Sequence, residues 1–126
     1  MILDKFSTQN AMIESSMQAA SLRQNVILNN IANADTPNFK KSEVSFEDDF
    51  QTALYTARRT GDYSRVADVT PQVNVVDTNY DYRIDKNNVD IEQEMVNLYQ
   101  NSMRYDTMVS SVSNNYQRIN MVLQAK

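Results

Sequence analysis

The fold is decided by one stretch near the C-terminus, residues 90–124, which reads DIEQEMVNLYQNSMRYDTMVSSVSNNYQRINMVLQ. Every seventh residue of one row is apolar: Ile91, Leu98, Tyr105, Val112 and Ile119. A second row follows four residues later, and only its serine is polar: Met95, Ser102, Val109, Tyr116 and Leu123. Such spacing is typical of a helix that packs along one side, as in a coiled coil. We therefore predict one long helix from about Asp90 to Gln124.

The ends of this stretch carry the residues that helix ends favour. Asp90 stands where an N-cap belongs, and Gln93 follows at the capping-box distance. Glu92 and Glu94 lie in the first turns and Lys126 at the end, an arrangement that complements the helix dipole. At 1.5 Å per residue the predicted helix is about 50 Å long.

The N-terminal segment repeats the pattern. One row steps by seven residues through Phe6, Ile13, Ala20 and Ile27, and a second contains Leu3, Met17 and Ile31. We predict a helix from about Asp4 to Asn33 that ends before Pro37, because a proline disfavours helical geometry in the residue before it. The expected fold class is mainly α, with long N- and C-terminal helices packed as an antiparallel coiled-coil-like pair.

The middle of the chain is less regular. A short helix is expected from about Ser45 to Arg58, with Phe46 and Phe50 on its apolar side. Residues 72–75 alternate as a strand does, and so do residues 80–84. We expect a single domain: an N-terminal helix at 1–34, a linker at 35–89 with the short helix and a possible β-arm, and a C-terminal helix at 90–126.

The composition argues against an enzyme. The chain has no His, no Cys and one Gly, so it lacks the usual neutral-pH proton shuttle, a thiol nucleophile and a glycine-rich phosphate loop. We predict no cofactor, no metal site and no small-molecule substrate. A carboxylate-based enzyme is the weakest alternative, and its candidate residues are Asp48, Asp49, Asp81 and Asp85.

Charge and hydropathy limit the kinds of partner that this chain can have. The net charge of −4 argues against nucleic acid. The first residues show no secretory signal, and no apolar run is long enough to span a membrane. An apolar stripe at helical spacing is most often part of the hydrophobic core. Two such stripes on a chain with little else to cover them would leave apolar surface exposed, and that favours assembly with a partner.

A motif follows the first predicted helix. The segment NNIANADTPNFK, residues 29–40, closely resembles the signature of bacterial flagellar rod and hook proteins, the axial family. A second match lies at NVDIEQEM, residues 88–95, continued by Arg104 and Tyr105. The short chain and the uninterrupted residues 32–37 are more like one small proximal-rod subfamily than its rod neighbour, which commonly has extra residues before the proline. The motif residues are Asn30, Ala32, Asn33, Thr36, Pro37, Asn38 and Phe39.

The family usually has Gly-Tyr after the proline, where this chain has Asn38 and Phe39. Proline at the second position of a turn fits type I or type II, and type II requires positive φ at the next residue. Asparagine tolerates that conformation best after glycine, so we expect the turn to survive. We also expect the amides of Asn30 and Asn33 to bond backbone groups freed where the helix ends.

The resemblance implies a structural subunit of the proximal rod, which joins copies of itself and other rod and basal-body proteins. It implies a place in the basal body within the periplasmic space, reached through the flagellar type III export apparatus without a cleaved signal peptide. Phe46 and Phe50 have the form of an export element, although any amphipathic helix shows the same spacing. Two alternatives remain open: another small rod protein, or a cytoplasmic helical adaptor or chaperone of flagellar export.

Overall fold

A computed structural model describes residues 2–77 and 83–125, with the side chains of residues 2 and 3 left aside. Two long helices dominate it: α1 spans Ile2–Ala32 and α4 spans Ile91–Gln124. Between them lie strand β1 at Ser42–Ser45, helix α2 at Glu47–Thr60, helix α3 at Ser64–Ala67 and strand β2 at Gln72–Val75. The mainly α fold class predicted from the sequence is confirmed. At 1.5 Å per residue, α1 and α4 are about 46 and 51 Å long.

The two long helices run antiparallel. Asn30 near the end of α1 bonds Glu94 near the start of α4, with 3.1 Å between Asn30 Nδ2 and Glu94 Oε2. At the opposite end, Asn115 Nδ2 donates to Asn10 Oδ1 over 3.1 Å. Asn101 occupies the middle, where its Nδ2 donates to the carbonyl of Ala20 at 2.8 Å. Residue numbers on the two helices therefore change in opposite directions along the contact.

The row of α4 that faces α1 is largely polar. Glu94, Asn101 and Asn115 are buried, and Met108 between them is half-buried. One predicted row lies beside this seam, with Leu98, Val112 and Ile119 half-buried and Ile91 and Tyr105 exposed. The other predicted row lies one residue further round the helix, where Val109, Tyr116 and Leu123 are exposed and Met95 is half-buried. Much of the apolar surface of α4 is thus left outside the pair.

The middle segment forms a small layer against α1. Strands β1 and β2 pair antiparallel, with Ser42 opposite Val75 and Ser45 opposite Gln72. The strand predicted at residues 72–75 is present, whereas the alternation at residues 80–84 falls mainly on residues outside the described part. Helix α2 begins two residues later than expected and ends at Gly61, whose φ of 77° is the left-handed conformation that suits glycine at a helix C-cap.

The buried seam gives a prediction about stability. The single variant Asn115→Leu removes the donor to buried Asn10 Oδ1 and should lower the free energy of unfolding by about 1–3 kcal/mol. The double variant Asn10→Leu/Asn115→Leu leaves no polar atom unpaired there and should be at least as stable as the original chain. Urea unfolding followed by helical circular dichroism measures both. A single variant that unfolds at the original urea midpoint would contradict this role of the pair.

Candidate functional site: the helix junction and the outer face of α4

The helix junction, defined here as residues 30–39 together with residues 83–90, connects the end of α1 to the start of α4. Its centre is the turn Thr36-Pro37-Asn38-Phe39, in which the Phe39 amide donates to the Thr36 carbonyl at 3.3 Å. Asn38 has a φ of 59°, the left-handed value that a type II turn requires at this position. The prediction that asparagine preserves the turn in place of glycine is thus met by the backbone geometry.

Asn33 closes the end of α1. Its Nδ2 donates at 2.8 Å to the carbonyl of Asn29, which also accepts from the Asn33 amide at 3.2 Å in the last turn. Its Oδ1 accepts from the Thr36 hydroxyl at 3.2 Å, and its carbonyl accepts from the Thr36 amide at 3.0 Å. Ala32 is exposed, Pro37 follows at the tip of the turn, and Phe39 is half-buried.

Asn87 holds the turn from the other side of the junction. It is fully buried, and its Nδ2 lies 2.9–3.0 Å from the carbonyl oxygens of Asn33, Ala34 and Thr36. Its Oδ1 accepts from the amide of Val89 at 2.8 Å. One side chain therefore adds a second donor to three carbonyls that follow α1, and it fixes the approach to α4. Sequence reasoning misses Asn87, although this residue directly precedes the second family motif.

The side-chain amides of Asn30 and Asn88 bond to backbone N–H and C=O groups in the way that a neighbouring strand would. Asn30 accepts from the Ser42 amide at 2.9 Å and donates to the Ser42 carbonyl at 2.8 Å. Asn88 accepts from the Lys41 amide at 2.7 Å and donates to the Val76 carbonyl at 2.8 Å. The expectation that Asn30 bonds the end of α1 is wrong, because its side chain bonds β1 and Glu94 instead. The buried amide of Asn30 therefore ties α1, β1 and α4 together.

The start of α4 is capped as the sequence indicates. Asp90 Oδ1 accepts from the amides of Glu92 at 3.0 Å and Gln93 at 3.2 Å. A full capping box would require Gln93 to reach back to the Asp90 amide. The Gln93 amide group donates forward to Asn97 Oδ1 at 3.1 Å instead. The carboxylate of Asp90 is thus the side chain that caps the helix here, and it lies directly beside the junction.

The rows predicted on α1 face several neighbours. Ala20 and Ile27 are buried, and a further group is half-buried: Phe6, Ile13, Met17 and Ile31. The Phe6 ring meets the Tyr116 ring edge to face, with 6.0 Å between centroids. The side chain of Leu3 lies outside the described residues. Phe46 and Phe50 stack with 5.1 Å between their ring centroids, and Phe46 is buried, with 5% of its area exposed.

The chain exposes more surface than a compact protein of its mass. Its accessible area is 9236 Å², whereas a compact monomer of 14.5 kDa exposes roughly 6,900 Å². The surplus of about 2,300 Å² is comparable to the total area that a permanent interface buries. Large exposed apolar side chains are concentrated along α4: Ile91, Val96, Tyr99, Met103, Tyr105, Val109, Tyr116, Met121, Val122 and Leu123.

The described residues offer little for catalysis or metal binding. No group of three or more His, Cys, Asp or Glu residues within 2–77 and 83–125 is arranged to hold a metal ion. Asp48 and Asp49 are exposed in the first turn of α2, Asp85 pairs with Arg83 at 2.9 Å, and Asp81 lies outside the description. Across those same two ranges, none of the helices is both long and apolar enough to cross a bilayer.

Asn38 gives a prediction about the turn. With φ at 59°, Asn38→Gly should preserve or slightly raise the stability, because glycine has no Cβ to crowd the left-handed conformation. Asn38→Ala should lower the free energy of unfolding by about 1 kcal/mol for the opposite reason. Urea unfolding of the two variants side by side makes the comparison. If alanine matched glycine, the turn would not be under the conformational constraint described.

Asn87 gives a second prediction. Asn87→Ala removes one of two donors from each of three carbonyl oxygens and should cost about 1–2 kcal/mol of unfolding free energy. Asn25→Ala, which changes an exposed asparagine on α1, is the matched control and should change little. Amide hydrogen exchange should show the loss concentrated in residues 33–39 and 87–91. Equal effects of the two substitutions would mean that Asn87 does not organise the junction.

Comparison with known proteins gives a consistent result. A family model described as "Flagella basal body rod protein" matches residues 13–40, the second half of α1 and the turn. The chain is 35% identical over 122 residues to the flagellar basal body rod protein FlgB of Borrelia hermsii, covering 86% of this chain and 90% of that one. It is 36% identical over 118 residues to FlgB of Bacillus subtilis, with 88% and 89% covered. FlgB of Proteus mirabilis matches over 136 residues at 25% identity, with 98% of each chain covered.

Proposed function

Because this chain belongs to the family of flagellar basal body rod proteins that includes FlgB, we propose that it serves as a structural subunit of the rod and assembles through α1 and α4. The resemblance predicted from the two sequence motifs is confirmed by the family match and by relatives covering most of the chain. The relatives carry the name FlgB, which agrees with the small subfamily that the short turn favoured over its rod neighbour. The proximal part of the rod is the position that this subfamily implies.

The observation that carries the proposal is the apolar surface left exposed on α4. The seam between α1 and α4 uses polar residues, and ten large apolar residues of α4 keep 36–76% of their area exposed in the single chain. Burial of such side chains contributes about 1.5–3 kcal/mol each before ordering costs, and that stabilisation becomes available only when a neighbour covers them. The proposed assembly surface consists of the exposed members of the two predicted rows: Ile91, Tyr105, Val109, Tyr116 and Leu123.

The N-terminal row contributes less to this surface. Ala20 and Ile27 are buried against the rest of the chain, so they support α1 instead of reaching a neighbour. Phe6 is half-buried and contacts Tyr116 near the free end of the pair, where both rings are partly available. We assign the contacts with copies of this chain and with other rod and basal-body proteins chiefly to α4, with the Phe6 end of α1 beside it.

Export belongs to the same proposal. A rod subunit lies outside the cytoplasm, and we propose passage through the flagellar export apparatus to the periplasmic part of the basal body without cleavage of a signal. The candidate export element at Phe46 and Phe50 is packed in the folded chain, with Phe46 almost fully covered. The apparatus would therefore have to bind this element before the chain folds. A structural role of this kind requires no catalysis.

The assembly surface is tested by placing a charge on it. Val109→Asp should leave the helical content unchanged, because Val109 is 42% exposed in the single chain. It should reduce the amount of the chain in purified rods and abolish motility, since a carboxylate cannot be buried there without a partner. Ser110→Asp makes the same change in charge one residue further on and should be tolerated. Normal rod content and swimming with Val109→Asp would contradict the proposed surface.

A further inference from the structure

An isoleucine projects from the helix junction into solvent. Ile84 is fully exposed, at 106% of its reference area, and sits at the tip of a turn closed by the Lys86 amide bonding the Arg83 carbonyl at 3.0 Å. A lone exposed apolar residue is ordinary. Ile84 is less ordinary, because its branched side chain is fully exposed on a turn that is bonded to the family motif. We call Ile84 on this turn the Ile84 knob.

The Ile84 knob is held in place by several bonds. Arg83 pairs with Asp85 at 2.9 Å and donates from Nη1 to the carbonyl of Ala34 at 2.9 Å. The Asp85 carbonyl accepts from the Asn38 amide at 2.8 Å, and Asp85 Oδ1 accepts from the Asn87 amide at 3.1 Å. Both residues beside Ile84 are thus bonded to residues of the family motif. The backbone that carries Ile84 is therefore fixed before binding, which lowers the cost of ordering it.

A groove of suitable character lies elsewhere on the same chain. It has a volume of about 510 Å³ and is formed where α1, the start of α2 and α4 meet. Its floor is apolar and consists of Ala19, Ala20, Phe46, Phe50, Met103 and Met108. Methionine side chains are flexible and polarisable, so they adapt to an entering side chain. The groove is open to solvent and large enough to hold an isoleucine side chain.

One charge on each of the two features is complementary to the other. Arg104 lines the groove together with the ion pair of Arg23 and Glu47, whose atoms lie 2.7 Å apart. Asp35 lies beside the Ile84 knob, where its side chain is 97% exposed and reaches Arg83 only at 4.0 Å. An isoleucine entering the groove would bring this acidic side chain towards Arg104. Charge pairs at the edge of an interface mainly fix its orientation and partner.

We propose that the Ile84 knob of one copy of this chain occupies the apolar groove of the next copy, with Asp35 facing Arg104 across the contact. Knob and groove are different surfaces of one molecule, so the contact is heterologous. Contacts of that kind generate open helical assemblies when they do not close. This inference rests on the proposed function, because it assumes a repeating assembly, and it specifies one contact within that assembly.

The contact also fixes a displacement between neighbours. The Ile84 knob is bonded at Ala34, and the groove is centred near Ala20, fourteen residues earlier in the chain. At 1.5 Å per residue this separation is about 20 Å along α1. Copies that point in the same direction and share this contact should therefore be offset by about that distance along the helix axis.

Cysteine cross-linking tests the contact cleanly, because the chain contains no cysteine. A chain carrying Ile84→Cys and Thr107→Cys, the latter at the edge of the groove, is expressed in place of the original, and isolated basal bodies are treated with a short bis-maleimide. The expected product is a ladder of dimers, trimers and longer chains. Ile84→Cys with Ser113→Cys, on the opposite flank of α4, is the control and should remain monomeric.

The outcomes distinguish the proposed knob contact from the proposed function as a rod subunit. If the cysteine chain is present in rods and no ladder forms, the knob contact is wrong while the structural role stands. A dimer without longer products would indicate a closed pair, and linkage of the Thr107→Cys thiol to a different protein would indicate another occupant; either result overturns the proposal. If the unmodified chain is itself absent from rods, the proposed function fails.

A charge-reversal experiment covers the case in which the cysteine chain does not enter rods. Asp35→Arg and Arg104→Asp should each lower the amount of chain in rods by about fivefold, and the double reversal should restore most of it. Restoration is the informative result, because two independent surface defects would add. Absence of restoration, or no effect of either single reversal, would overturn the pairing of Asp35 with Arg104.

Discussion

The structure depends on asparagine amides that bond to backbone in places where the chain cannot pair with itself. Asn87 adds a donor to three carbonyls at the end of α1, and Asn30 bonds both the amide and the carbonyl of Ser42 on β1. A buried backbone group without a partner costs about as much as a lost hydrogen bond, so these two side chains help the irregular junction to be buried. The directions in which α1 ends and α4 begins follow from them.

The same preference for amides along the α1–α4 seam has a consequence for assembly. A seam made of Asn10, Asn101 and Asn115 favours one register over others, because a shift along the helices would separate the paired amides. It contributes less apolar burial than a leucine seam, and Asn101 Oδ1 is buried with no hydrogen-bond partner among residues 2–77 and 83–125. The single chain is therefore weakly stabilised by its longest contact. Its apolar residues remain on the outside of α4, where neighbouring subunits can bury them.

The parts of the fold that depend on local periodicity are predictable from the sequence. Both long helices are located to within two residues because a chain with one Gly and two Pro rarely interrupts them. The positive φ at Asn38 follows from turn chemistry, and the cap at Asp90 from its position. Periodicity cannot tell which of two adjacent rows on α4 faces α1, since the more apolar row is not the buried one. The buried row is the one whose amides bond across to α1.

Long-range pairing is also beyond local reasoning. Judged from local pattern alone, strand β1 looks like coil followed by the start of a helix. Its partner β2 lies about thirty residues further along the chain, so the pairing leaves no local signal. The role of Asn87 depends on carbonyls more than fifty residues earlier in the sequence. Its only local signal is a pair of asparagines two residues before a helix cap. Such a signal indicates a loop but not the residues that the loop holds.

The central claim is that this chain is a structural component of the rod, and its location tests that claim most directly. Intact flagellar basal bodies are purified, the rod fraction is separated, and mass spectrometry measures this chain against known rod components. The account predicts that it is present there in amounts comparable to other rod subunits. Its absence from that fraction, together with recovery as a cytoplasmic dimer, would contradict the account and favour an adaptor of the export system.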